Sequence, residues 1–191
     1  DEYFEKIGSE LARRWEPDTF HEAAHDVLAD YEPPEGFSFA SLTQWAVNRE
    51  ELPNQVNFHS GFGAPPLVVY ADEENRFYAE ILVWFPSRTA IHGHGFSGAF
   101  RVLEGYSIQG RYCYDGEEIC EGLKQGELKP VGLDFIAPGH VNAIKKDEGF
   151  IHTVVHMGRP SLTLVVRTPA DPTTKFQYEY FRHGTAIASS R

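Results

Sequence analysis

The sequence is poor in cysteine. Its 191 residues include only Cys113 and Cys120, which are too few for a disulfide framework. We interpret both as free thiols that flank a two-residue hairpin turn at Asp115-Gly116, with a cross-strand disulfide as the alternative.

Basic residues and long apolar runs are also scarce. There are 17 Lys and Arg against 28 Asp and Glu, giving a net charge of −11, which opposes binding to a phosphate backbone. No run reaches the roughly 18 apolar residues of a membrane span, and the first residues lack the basic and apolar regions of a signal peptide. We therefore expect a cytoplasmic protein with neither nucleic acid nor membrane as a partner. The missing initiator Met leaves a removed leader open.

Length and composition suit one domain. A chain of this size that is 41% hydrophobic can bury on the order of 70% of its unfolded surface. No internal repeat or shift in composition divides it. We predict a single domain over 1–191, with a helical part over 1–55 and a β-barrel over 62–185.

Helical signals occupy the first fifty residues. The stretch Thr19–Glu22 has the spacing of a capping box, and apolar residues follow it at helical intervals. Ser38 is placed to cap a second helix that ends before Pro53. We expect these helices to cover one end or one side of the barrel.

One helical stretch matches a zinc-protease pattern. His21-Glu22-Ala23-Ala24-His25 has the His-Glu-x-x-His spacing, with both imidazoles on one helix face. No third ligand is evident just downstream, and Glu22 also serves as the acid of the predicted capping box. We favour solvated or packing roles for both histidines, with metal binding as the alternative.

After Pro65 the sequence pattern changes to short runs rich in residues that favour β-strands. Many short strands separated by turn signals predict an antiparallel sandwich or barrel. The runs lie near 66–70, 77–85, 100–114, 133–137, 151–156 and 162–167.

Two histidines at the end of an apolar strand carry the strongest chemical signal. In His92-Gly93-His94 the imidazoles lie on one strand face, roughly 6 to 7 Å apart, which suits two adjacent coordination sites of one metal ion. The alternative is an accidental pair on an exposed face. Apolar runs on both sides favour the metal centre, because two exposed histidines rarely lie between two apolar segments.

A third donor has to come from a distant strand. His152 and His156 lie on one face of a later strand, and His140 lies next to a turn. At most one or two of these three can be ligands, and the residues themselves leave the choice open. For His156 we favour a packed or hydrogen-bonded core residue over a ligand.

The histidine stretch resembles the first motif of the cupin superfamily, His-x-His, three or four residues, Glu, six residues, Gly. Here His92 and His94, three residues, Gly98, six residues and Gly105 match that frame, with Gly98 at the glutamate position. The resemblance implies a mainly β cupin barrel, which is a double-stranded β-helix or jelly roll, with helices at its N-terminus.

Among cupins the pattern resembles the cysteine dioxygenase family of thiol dioxygenases, in which three histidines and no carboxylate hold iron. Ile144 and the stretch Asp147–Val154 run like that family's second motif, which implies His152 as the third ligand. The resemblance covers about Phe62 to Pro169. It implies Fe(II) as cofactor, with zinc or nickel as alternatives in the purified protein, and a small thiol and dioxygen as substrates.

The sequence departs from that family at the substrate-binding groups. The run 67–70 lacks the arginine expected for a substrate carboxylate, which argues for a thiol other than cysteine. The family's Ser-His-Tyr relay would fall near Thr163, Val165 and Arg167. Thr163 keeps the hydroxyl, and an inward-facing Arg167 would supply the missing cation, so we take these two as catalytic candidates. Glu80 is expected to face outward into solvent, and the alternative is an inward orientation that would make it a candidate base.

Taken together, the residues and the resemblance predict an iron-dependent oxidoreductase that oxidises the sulfur of a small thiol toward a sulfinic acid. Three neutral imidazoles leave the metal its full charge, which favours an anionic thiolate beside it. One alternative is a metal-dependent cupin lyase or isomerase without oxygen chemistry. Another is a non-enzymatic cupin that binds a small ligand. An acidic barrel with β-edges is compatible with a homodimer.

Overall fold

The computed structural model describes residues 2–56 and 66–189, so the predicted start of the barrel at 62–65 lies outside the described residues. Three helices precede twelve strands in this part of the chain. They are α1 (Glu2–Arg13), α2 (Phe20–Asp30), α3 (Phe39–Val47), β1 (Leu67–Ala71), β2 (Tyr78–Trp84), β3 (Ser87–Arg88), β4 (Ile91–His94), β5 (Gly98–Glu104), β6 (Ser107–Cys120), β7 (Leu123–Ile136), β8 (Val141–Ile144), β9 (Asp147–His156), β10 (Ser161–Arg167), β11 (Gln177–Tyr180) and β12 (Thr185–Ser189).

The strands form two antiparallel sheets. One has the order β1-β2-β10-β5-β8, and the other has the order β3-β9-β4-β11-β12-β7-β6. An additional pairing of β9 with β6 closes six strands of the second sheet into a ring. The predicted mainly β, antiparallel barrel with N-terminal helices is confirmed.

Strand β10 shows how the five-stranded sheet is buried on both faces. Leu162, Leu164 and Val166 pack in one core cluster with the helices, while Val165 belongs to a second cluster on the opposite face. Side chains alternate between the faces of a strand, so the continuous apolar run in the sequence reflects a strand covered on both sides. The second cluster borders the cavity between the sheets.

The helices cover the outer face of the five-stranded sheet, as expected for a helical layer at one side of the barrel. Helix α1 lies within the predicted helical part of the chain and buries Phe4, Ile7 and Leu11. Their helical spacing was present in the sequence. From β5, the buried Arg101 side chain reaches the end of α2 and donates to the Leu28 carbonyl at 2.6 Å. It also donates to the carboxylate of Glu32, two residues beyond the helix.

The two predicted helix caps had different outcomes. Ser38 caps α3, because its side chain accepts from the Ser41 backbone N–H and the Ser41 hydroxyl accepts in turn from the Ser38 N–H. Thr19 precedes α2 but makes no side-chain cap hydrogen bond, so the capping box predicted there was wrong. Its backbone lies at φ −113° and ψ 11°, outside the extended geometry of the usual cap.

The predicted turn at Asp115-Gly116 was also wrong. Both residues lie inside the 14-residue strand β6 and pair with Glu127 and Gly126 of β7. The chain reverses at Gly122, whose φ of 78° is in the left-handed region that favours glycine. Cys113 and Cys120 are exposed free thiols, as predicted.

Other strand boundaries differ from those expected. The run predicted near 100–114 is two strands, because the chain turns at Gly105 with φ 81°. Strands β3, β8, β11 and β12 were not predicted, since these short segments are polar or only partly apolar. In the described part of the chain, no helix combines the length and the apolar character needed to cross a bilayer.

Candidate metal centre

Three buried histidines converge on one point between the sheets. β4 carries His92 and His94, and β9 carries His152, which lies directly opposite His92 in the strand pairing. One ligand atom from each residue lies within 4.8 Å of the other two, and the ring centroids are 4.7 to 5.0 Å apart. The arrangement could hold a metal ion.

A hydrogen bond at Nδ1 fixes the orientation of each ring. His92 Nδ1 lies 3.0 Å from the Ala90 carbonyl, and His94 Nδ1 lies 3.3 Å from the Phe150 carbonyl. A carbonyl only accepts, so each Nδ1 carries the proton and each Nε2 carries the lone pair. This outer support is typical of histidines that bind metals.

The third ring has a side chain as its support. His152 Nδ1 donates to Gln109 Oε1 at 3.1 Å, and Gln109 is fully buried on β6. Gln109 was missed at the sequence level. The sequence shows only a polar residue between Ile108 and Gly110 within a predicted strand, which indicates nothing about its partner.

All three imidazoles are neutral in this environment. Burial is the main cause that lowers the pKa of His92, and it lowers the pKa of His94 and His152 well below the usual value. A positive charge on a neighbouring histidine lowers the pKa of His94 and of His152 further. Neutral imidazole is the form that binds a metal, so the donor set fits a divalent cation.

Two glycines in the motif are explained by close approach of strands. A Cβ at Gly93 would lie 2.8 Å from the Asp147 carbonyl oxygen of β9. A Cβ at Gly98 would lie 2.0 Å from the Val166 carbonyl oxygen of β10. No side chain fits at Gly98 without backbone movement, so the position to which the cupin resemblance assigns a glutamate ligand offers no donor here.

The histidines open into a cavity of about 170 Å³ between the five-stranded sheet and the β4–β9 pair. Its wall is largely apolar, which is typical of small-molecule sites. The apolar lining includes Leu82, Trp84, Phe96, Phe100, Ile136, Ile144, Val154 and Val165, and Thr163 lies among them on β10.

Glu80 and Arg167 form an ion pair in the same cavity. Glu80 is 3% exposed and faces inward, so the expectation that it points into solvent was wrong. The reason is register: Glu80 pairs with Val165, one of the inward-facing residues of β10. Arg167 faces inward as required of a candidate cation, but its guanidinium lies 3.5 Å from Glu80 Oε1 and 3.5 Å from the Phe96 ring centroid.

His156 lies farther along β9 on the cavity face. Its Nδ1 is 3.1 Å from the Ser107 hydroxyl, and its ring stacks on Trp84 at 4.2 Å with an interplanar angle of 8°. The predicted role as a hydrogen-bonded core residue agrees with this contact. Burial lowers its pKa to about 4.

The remaining histidine candidates lie apart from the triad. His140 contacts Asn142, and His25 contacts Asp26 on α2. Within residues 2–56 and 66–189, the cluster able to hold a metal comprises His92, His94 and His152. His21 and His25 do not join it, although they match the zinc-protease spacing.

No family model matches the sequence, and no curated protein is similar to it. Among solved structures, the chain is similar to a double-stranded β-helix protein from Klebsiella pneumoniae, with 17% identity over 69% of this chain and 89% of that one and a TM-score of 0.38. It is also similar to a cupin-2 domain protein from Shewanella frigidimarina, with 10% identity, 70% and 95% coverage and a TM-score of 0.39. A third is hydroquinone 1,2-dioxygenase from Sphingomonas sp. TTNP3, with 11% identity, 60% and 71% coverage and a TM-score of 0.43.

The strand pairing shows that the chain is mainly β, with a closed six-strand antiparallel barrel and three helices in its described part. Between its sheets lies a group of three buried histidines that could bind a metal ion.

Proposed function

We propose that this protein is an Fe(II)-dependent dioxygenase that oxidises the sulfur of a small thiol to a sulfinic acid. The observation that carries the proposal is the donor set, in which three neutral imidazoles present Nε2 to one point. Bound ferrous iron would supply the redox chemistry that joins dioxygen to sulfur. Nickel and zinc would also fit the same donors, but zinc has no redox chemistry of its own.

The charge of the site supports a thiol as substrate. Neutral ligands leave a divalent cation its full charge, so an anion beside it is favoured. A thiol with a pKa near 8.5 is mostly protonated at neutral pH, and a cation stabilises the deprotonated form. Both oxygen atoms end on sulfur, which loses the four electrons that dioxygen gains, so the reaction needs no other reductant.

The protein's own residues hold the rings and keep water out. The Nδ1 hydrogen bonds of His92, His94 and His152 keep each Nε2 directed at the common point. The apolar wall strengthens electrostatic interactions at that point because it lowers the local dielectric. We propose that the Thr163 hydroxyl, which lies in this wall, donates a hydrogen bond to the substrate.

The test is oxygen consumption by protein loaded anaerobically with Fe(II). We expect uptake with at least one member of a panel of small thiols, one sulfinate formed per dioxygen consumed, and loss of uptake in His94→Ala. Full iron loading with no uptake for any thiol would overturn the proposal. Turnover of a carbonyl substrate without oxygen would instead identify a lyase or isomerase.

The non-enzymatic alternative is separated by the same variant. A cupin that only binds a small ligand would keep its affinity in His94→Ala, because the metal would not take part. A dioxygenase loses both metal and activity. Ligand binding that is unchanged in His94→Ala, together with no oxygen uptake, would therefore support the binding protein.

A further inference from the structure

The cavity has a second polar end, away from the metal centre. His152 and His156 face the cavity from one strand, and their four-residue separation corresponds to about 13 Å between Cα atoms. Val154 lies between them in the wall. A molecule held at the histidine triad would thus extend along an apolar surface toward His156.

The proton on His156 can be assigned from its neighbour. Ser107 is 2% exposed, and its hydroxyl lies 3.1 Å from His156 Nδ1. A buried hydroxyl needs an acceptor for its proton, and Nδ1 is the one at this distance. When Ser107 donates to Nδ1, the proton of the neutral ring is on Nε2.

His156 Nε2 therefore presents an N–H group on the side of the ring away from Ser107. The side chain is 6% exposed, and among residues 2–56 and 66–189 this buried atom has no hydrogen-bond partner. The parallel stack on Trp84 keeps the ring plane fixed. Leaving a buried donor without an acceptor is costly, which points to a partner supplied by a ligand.

The cavity offers little to a charged ligand beyond the metal centre. The charges of Glu80 and Arg167 offset each other across 3.5 Å, and the Arg167 guanidinium also lies over the Phe96 ring. Most of the remaining wall is apolar. A substrate carboxylate or ammonium would lose its hydration here and would have to break the ion pair to gain a counterion.

We propose that His156 is a substrate-binding residue whose Nε2–H donates to an acceptor oxygen of the substrate, and that the substrate is an uncharged thiol carrying a carbonyl or amide oxygen. The thiol part rests on the function proposed above. The His156 contact and the preference for an uncharged ligand rest on the cavity alone.

Three thiols of similar size test the preference. N-acetylcysteamine carries an amide oxygen and no charge, 1-hexanethiol lacks the oxygen, and 3-mercaptopropionate carries a carboxylate. With the Fe(II) protein we expect kcat/KM for N-acetylcysteamine to exceed that for each of the others at least about tenfold, which corresponds to one hydrogen bond. Equal values, or a preference for the carboxylate, would overturn the proposal.

The variant His156→Phe combined with Ser107→Ala tests the residue. Phenylalanine keeps the stack on Trp84 and removes both nitrogens, and alanine removes the hydroxyl that would lose its partner. We expect KM for N-acetylcysteamine to rise about tenfold with a smaller change in kcat, while 1-hexanethiol stays within about twofold. His25→Phe, on the exposed face of α2, is the control and should change neither thiol. Parallel changes for both thiols would contradict the contact.

A thiol-free ligand separates this proposal from the dioxygenase proposal. N-ethylacetamide titrated into metal-free protein should shift the ¹⁵N resonance of His156 Nε2 and leave His25 unshifted. Such a shift without oxygen uptake from any thiol would support the His156 site and remove the thiol dioxygenase. Oxygen uptake with no shift of His156 and no preference among the thiols would support the thiol dioxygenase and remove the His156 site.

Discussion

At the scale of single residues, the candidate site depends as much on what surrounds the histidines as on the histidines themselves. Each ring has its proton placed by an acceptor at Nδ1, two of which are backbone carbonyls. Gly98 has no side chain that could carry a carboxylate toward the histidines. The β10 backbone packs against it so closely that a Cβ would not fit. A donor set of three neutral rings is therefore a consequence of local packing.

The first prediction concerns metal affinity. In His152→Ala we expect the affinity for Ni(II), measured by competition with a chelator, to fall at least about 100-fold, since a ligand matters no less than its supporting groups. In Gln109→Met, which removes only the support of His152, we expect about a tenfold loss. His25→Ala is the control with unchanged affinity. Equal affinity in all three variants would rule out the triad as the metal site.

The second prediction concerns pH. Burial holds the pKa of His156 at about 4 in the folded protein, whereas an unfolded histidine titrates near 6.5. Between these values the unfolded chain binds a proton that the folded chain does not, so the free energy of unfolding falls as pH falls. The contribution of His156 is about 1 kcal/mol per pH unit within this window.

The measurement compares urea denaturation of metal-free wild type with the His156→Phe, Ser107→Ala double variant from pH 4.5 to 6.5. The metal ligands are present in both proteins, so the difference in slope isolates His156. We expect the variant to lose stability less steeply on acidification. Identical slopes would contradict a buried neutral His156.

At the scale of elements, capping and close approach decide where helices and strands end. Helix α3 begins at a reciprocal pair of hydrogen bonds between Ser38 and Ser41, whereas α2 begins without a side-chain cap at Thr19. Both starts carry a residue type that commonly caps helices. Their backbones differ, because Ser38 is extended whereas Thr19 is not.

The third prediction uses this contrast. Ser38→Ala should lower the free energy of unfolding by about 1 kcal/mol, because N–H groups of the first turn of α3 lose their acceptor. Thr19→Ala should change it by less than about 0.5 kcal/mol. Urea denaturation measures both, and amide exchange in α3 shows whether the helix opens locally. A larger loss in Thr19→Ala than in Ser38→Ala would contradict the two caps.

At the scale of the whole molecule, a helical layer and a barrel are held together across one face of the five-stranded sheet. Besides apolar packing, Arg101 connects β5 to the end of α2 through the Leu28 carbonyl and the Glu32 carboxylate. Arg101 is 2% exposed, while the Glu32 side chain is 74% exposed. The cation therefore acts mainly by satisfying backbone carbonyls at the buried helix end.

The fourth prediction separates these two contacts. Arg101→Met keeps much of the side-chain length and removes the charge, and we expect a loss of about 2 to 3 kcal/mol in the free energy of unfolding. Glu32→Gln should cost less than about 1 kcal/mol, since its carboxylate is solvated. Chemical denaturation measures both. Comparable losses in the two variants would show that the ion pair, not the carbonyl contact, joins the layers.

Much of this architecture was available from the sequence. Alternating and continuous apolar runs indicated a β-rich fold, and the His92-Gly93-His94 spacing indicated two imidazoles on one strand face. These patterns are local, and the periods of strands and helices translate them directly into faces. The third histidine required the cupin resemblance, because spacing alone did not choose among His140, His152 and His156.

Other features were decided only by tertiary structure. The inward orientation of Glu80, the ion pair with Arg167 and the Ser107 contact of His156 depend on which strands pair and in what register. Register fixes the face of every side chain on a strand, and it is set by contacts between residues far apart in sequence. The sequence by itself determined the β-rich fold and one half of the candidate site; the packing of distant strands decided the other half and the chemistry of the cavity wall.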